Sequence, residues 1–68
     1  MNTLIYFSTV YSENNQIILD RLGYYLDDIN VFSITFENGN VVIEGINIVK
    51  EDVIKFDSAM SSLGYVRK

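Results

Sequence analysis

Sixty-eight residues permit one domain, 1–68, and a chain this short hides only about 60% of the surface its unfolded form exposes. It contains no cysteine and no histidine, which excludes disulfide staples, thiolate metal sites, cysteine nucleophiles and imidazole bases together. Nine acidic residues against five basic ones give a net charge of −4, which argues against direct binding to nucleic acid or to an anionic membrane. Nearly half the residues are apolar, so stability is expected to come from packing or from self-association.

Thr3 to Val10 is rich in β-branched and aromatic residues and reads as a first strand. Ile5 and Phe7 are expected to face the core, leaving Leu4, Tyr6 and Ser8 on the other side. Leu4-Ile5-Tyr6-Phe7 is too short to cross a bilayer, and no basic residue precedes it as in a signal peptide. A soluble cytoplasmic protein is the expectation. Ser12 is the expected helix N-cap, with Glu13 in the first turn. Ile18, Leu19, Leu22, Leu26 and Ile29 then recur at helical spacing. Gly23 interrupts this stripe, and the helix either stops at Leu22 or runs through. Continuation of the stripe to Leu26 favours the longer helix.

Asp27-Asp28 closes that helix and leads into a second strand, Asn30 to Phe36. Asn38-Gly39 is the strongest turn signal in the chain, because both central positions of a type I′ hairpin need positive φ. A third strand follows from Val41 to about Ile46, with Gly45 at a bend or a close backbone approach. Phe32, Ile34 and Phe36 alternate on one arm and Val41 and Ile43 on the other, as half-buried strands do. Lys50-Glu51-Asp52 opens a second helix whose apolar positions are Val53, Phe56, Met60 and Leu63. Gly64 falls where that helix should stop, and Tyr65-Val66-Arg67 reads as a short fourth edge strand.

The element order is β-α-β-β-α-β, which predicts an α+β, ferredoxin-like fold. Its sheet would be four-stranded and antiparallel, in the order 4-1-3-2, with two helices on one face. From Val10 to Gly45, and chiefly in the phrase Phe36-Glu37-Asn38-Gly39-Asn40-Val41-Val42-Ile43-Glu44-Gly45, the chain resembles heavy-metal-associated domains, the copper chaperone-like members of that fold. Leu63-Gly64-Tyr65 resembles the closing Gly-Tyr of the same family. The resemblance implies the fold. It does not imply metal transport, because Ser12 and Asn15 stand where the family has its Cys-x-x-Cys, and neither supplies a thiolate for monovalent copper.

The remaining candidates for chemistry are few. Asp27-Asp28 lacks the organised oxygen-rich loop of a calcium site and reads as a solvated turn. Glu51-Asp52 reads as helix-start electrostatics. The polar loop Ser12 to Asn15 could offer backbone N–H groups to an anion, but Glu13 and the acidic chain favour plain capping. Five tyrosines occur without the basic neighbours of an RNA-binding sheet, and tyrosine is also favoured at protein interfaces. If the inward face is assigned as above, the open face carries Leu4, Tyr6, Val31, Ser33, Thr35, Val42 and Glu44. This set is the predicted partner-binding surface, or a surface for homodimer formation.

The function expected from these features is a small acidic non-catalytic interaction module that binds a protein partner and uses no cofactor. A sharper version is a phage-type, anti-CRISPR-like inhibitor that blocks a basic nucleic-acid-binding surface of a host defence complex. The alternative is a divergent metal- or small-ligand-binding domain of heavy-metal-associated type. An enzyme without histidine, cysteine or a phosphate-binding glycine loop would depend on carboxylates and tyrosines alone, and is the least favoured class.

Overall fold

The Asn38-Gly39 turn does what its residue types require. Both residues have positive φ, 51° and 82°, and they join strands β2 (Val31–Glu37) and β3 (Asn40–Gly45) through a two-residue loop. In the computed structural model, which describes residues 2–8, 13–26 and 31–68, β1 (Thr3–Phe7) and helix α1 (Asn15–Leu26) precede this hairpin. Helix α2 (Lys50–Ser61) and strand β4 (Val66–Arg67) follow it. The fold class is α+β: a four-stranded antiparallel sheet in the order β2-β3-β1-β4, with two helices. This is the expected strand order read from the other edge.

Helix α1 runs through Gly23, so the longer of the two readings holds. It begins at Asn15, and Asn14 caps it: the Asn14 Oδ1 accepts the Gln16 N–H at 2.8 Å. Ser12, the expected cap, lies outside the described residues, as do Asp27-Asp28, Val10 and Ile29. At the start of α2, the Asp52 carboxylate accepts the Val49 N–H at 3.4 Å, half of a capping box, since Val49 has no side-chain acceptor to return. The helix ends as Gly64 predicts. With φ at 84°, Gly64 lets its own N–H reach the Ser61 carbonyl and the Tyr65 N–H reach the Met60 carbonyl, the Schellman arrangement.

One core holds these elements together. Ile18 and Leu22 of α1 and Phe56, Ala59 and Met60 of α2 are buried with Leu4, Tyr6, Val41 and Ile43 of the sheet. Both helices therefore lie on the same side of it, and an Arg21 Nη1 to Ser62 Oγ hydrogen bond of 2.9 Å ties α1 to the end of α2. Among the described residues no helix is long and apolar enough to cross a membrane.

The phase of β1 is opposite to expectation. Leu4 and Tyr6 are each 1% exposed and face the helices, whereas Ile5 and Phe7 are half-buried on the other side. All four side chains are large, so alternation alone does not select a face. Register decides it, because Leu4 opposes Ile43 and Tyr6 opposes Val41, and directly opposed residues share a face. Val31 is also corrected. A register shift between Val31 and Ser33 pairs Val31 with Gly45 and Ser33 with Glu44, so these residues, two apart, point to opposite faces. Val31 thus packs against the core.

The two glycines with open space around them give opposite expectations. A Cβ at Gly23 meets nothing within 4 Å and the site is helical, so Gly23→Ala should stabilise the fold by about 0.5–1 kcal/mol. Gly39 has equal room, but its positive φ strains any L side chain, so Gly39→Ala should cost about 1 kcal/mol. Urea midpoints of the two variants against the parent check both signs, and equal shifts would refute the turn geometry.

Candidate functional site

The face of the sheet turned away from the helices is built in rows by the register. One row runs Glu44 to Thr3 with Ser33 beside it, the next runs Thr35–Val42–Ile5, and the third runs Glu37–Asn40–Phe7–Val66. Ile5, Phe7 and Val42 are half-buried and Val66 is 56% exposed, which makes a continuous apolar centre flanked by hydroxyl, amide and carboxylate groups. The Lys68 ammonium lies 5.6 Å from the centroid of the Phe7 ring, within cation–π range, and so sits over this face.

Four of the expected surface residues are here: Ser33, Thr35, Val42 and Glu44. Leu4 and Tyr6 are in the core and Val31 packs on it, so these three are withdrawn from the surface. Ile5, Phe7 and Val66 take their place. No signal in the sequence selects them: Ile5 accompanies Val42 outward through the β1–β3 register, which the alternation of β1 alone does not fix. Lys68 had no signal, since its position depends on the path of β4.

The helix-facing side carries a polar cluster at its rim. Tyr6 Oη donates to Asp57 Oδ1 at 2.6 Å, and Arg67 Nε donates to the same oxygen at 3.0 Å. Burial pushes the Tyr6 phenol well above its ordinary range. Its hydrogen bond to Asp57 and that carboxylate's charge add to the rise, while the Arg67 charge opposes it. With the Asp57 carboxylate committed to both partners, the cluster has the geometry of a clamp joining β1, α2 and β4. A second rim contact is the Glu13 N–H donating to Tyr65 Oη at 2.9 Å.

Asn15 is exposed and lines a shallow cleft of about 220 Å³. Ile18, Phe36 and Tyr65 form part of its floor, and Glu13, Asn38 and Asn40 part of its rim. Among the described residues no group of three Asp, Glu, His or Cys side chains is placed to hold a metal ion. No family model, no curated protein and no solved structure matches the chain.

The Tyr6 clamp gives a pH-dependent expectation. The folded phenol titrates above its unfolded value of 10.0, so its contribution is complete below that pH and is lost as the pH rises toward the folded value. Tyr6→Phe should cost about 1–2 kcal/mol at neutral pH, from the lost hydrogen bond, and should lose less stability than the parent between about pH 9 and 11. Denaturant unfolding of both proteins across that range is the check. Parallel curves would mean that the phenol does not titrate with folding.

Proposed function

We propose that this protein is a non-catalytic interaction module of ferredoxin-like βαββαβ type, working in the cytoplasm through the open face of its sheet. The observation that carries the reading is the apolar centre formed by Ile5, Phe7, Val42 and Val66 on a sheet face that neither helix covers. Half-exposed aliphatic and aromatic side chains grouped in this way supply contact area, and contiguous apolar patches of this kind mark binding surfaces. The groups around them are hydroxyls, amides and carboxylates, with no histidine or cysteine in the chain to act as a neutral-pH base or a thiolate nucleophile. Packing suits such a surface better than chemistry.

The acidic groups Glu37 and Glu44 lie on the β2–β3 side of this face and the whole chain carries −4, which favours a partner with basic residues around an apolar contact. The inhibitor reading, in which the module covers a basic nucleic-acid-binding surface, is the sharpest form of this proposal.

Val42→Asp tests the surface directly. Val42 is central on the face and half-buried, so the substitution should leave the circular dichroism spectrum native while abolishing partner binding, because a charge without a counter-charge would be sealed into the contact. Ile54→Asp is the control: Ile54 is 59% exposed on α2 and should bind as the parent does. Calorimetric titration of each variant against a partner captured with the parent decides the matter. Normal binding by Val42→Asp, or loss with Ile54→Asp instead, would move the site elsewhere. Tyr6→Asp would be uninformative about binding, since it places a charge in the core.

A further inference from the structure

We infer that Asn38-Gly39 is a site of hydrolytic backbone modification, shielded while the β2–β3 hairpin is closed and reactive once it opens. The inference stands apart from the reading of the open face as a contact surface.

An asparagine followed by glycine can cyclise onto its own main chain. The Gly39 nitrogen gives its proton to hydroxide and attacks Asn38 Cγ. The bond from Cγ to the side-chain nitrogen then breaks, and ammonia leaves. One water opens the resulting five-membered imide at either carbonyl, which leaves aspartate or isoaspartate at position 38. Water is the only co-reactant, and nothing is oxidised or reduced. A side chain on the following residue screens the attacking nitrogen, so the identity of that residue selects the site. Of the asparagines in the chain only Asn38 precedes a glycine; Asn40 and Asn47, for comparison, precede Val41 and Ile48. Both turn residues are exposed, and a Cβ built at Gly39 meets nothing within 4 Å, so water has access and the ring has room.

The fold withholds the remaining requirement, which is alignment. The φ values of 51° and 82° are close to the ideal type I′ pair, which carries ψ of about +30° at the first central residue. Cyclisation needs that ψ strongly negative, so that the nitrogen lies against Cγ. Such a rotation dismantles the turn. The turn is pinned by the pairing of Glu37 with Asn40 and of Phe36 with Val41, and Val41 is buried in the core. Reaction therefore waits on opening of the hairpin. Isoaspartate adds a methylene to the main chain, so a two-residue loop that contains it loses the geometry that sets the β2–β3 register. A chain modified while open rebuilds this hairpin poorly.

Peptide mapping by mass spectrometry tests the inference after incubation in mildly alkaline buffer. The samples are the folded parent, the parent unfolded in guanidinium chloride, and a peptide of residues 33–42. Asn38 should react first among the asparagines, at similar rates in the peptide and the unfolded chain. The folded parent should react at least roughly tenfold more slowly, by the fraction of time its hairpin is open. Gly39→Ala should slow the unfolded chain by a similar factor, since its methyl screens the nitrogen. A chain synthesised with isoaspartate at position 38 should unfold at lower denaturant concentration than the parent and than Asn38→Asp. Equal rates in the folded and unfolded parent would overturn the shielding, and faster reaction at another asparagine would overturn the site. An isoaspartate chain with the parent's unfolding midpoint would remove the consequence for the hairpin.

Discussion

The phase of β1 decides which large side chains the sheet buries under the helices and which it leaves on the open face. The strand is central, paired with β3 on one side and β4 on the other, and its residues alternate between the two faces of the sheet. Placing Leu4 and Tyr6 under the helices fixes Ile5 and Phe7 outside, and a one-residue slip would exchange the sets. That phase also satisfies the Tyr6 hydroxyl. A buried phenol is tolerable only if its polar tip finds a partner, and the Asp57 carboxylate at 2.6 Å provides one at the rim of the core. The same carboxylate accepts the Arg67 guanidinium, so the group that satisfies Tyr6 also fastens the two-residue strand β4 to α2. That ion pair is partly solvated and adds little by itself; its value is in position.

How much of this was legible in the sequence follows from the kind of signal each element carries. The hairpin was legible because Asn38-Gly39 has few alternatives to a type I′ turn, and the helices because Ile18, Leu22, Phe56 and Met60 keep a single stripe. Gly23 did not break α1, since about 1 kcal/mol of propensity is small beside the burial of Leu22 on the same stripe. The face of β1 was not legible strand by strand. Leu4, Ile5, Tyr6 and Phe7 are large on both sides, and Asp57, fifty-one residues from Tyr6, makes the inward choice of its hydroxyl favourable. Val31 was misplaced for a different reason. A bulge changes the parity of a strand, and neither Phe32 nor Ser33 announces it.

Of the residues predicted for the open face, Ser33 and Thr35 of β2 and both β3 residues lie on it, Val31 of β2 is withdrawn to the core, and the β1 pair is exchanged. Ser33, Thr35, Val42 and Glu44 stay together because the hairpin register was right. Substituting Ile5 and Phe7 for Leu4 and Tyr6 makes the face more apolar, since it trades a polar-tipped tyrosine for a phenylalanine beside Val66. The exchange keeps an apolar centre on the face while changing which residues make it.

The edges of the sheet are guarded against strand pairing in a way that its open face is not. Strand edges offer unpaired backbone groups, and folded proteins discourage pairing there with charge and with short strands. Here β2 ends in Glu37, and β4 is two residues long, with Arg67 in the strand and Lys68 just beyond it. A second strand approaching either edge meets a charged side chain, and beside β4 it finds little backbone to pair with. The face between those edges carries aliphatic and aromatic groups at its centre, with its carboxylates and the Lys68 ammonium set toward opposite sides. Charge and short length thus guard the edges, whereas the face leaves its apolar groups open to contact.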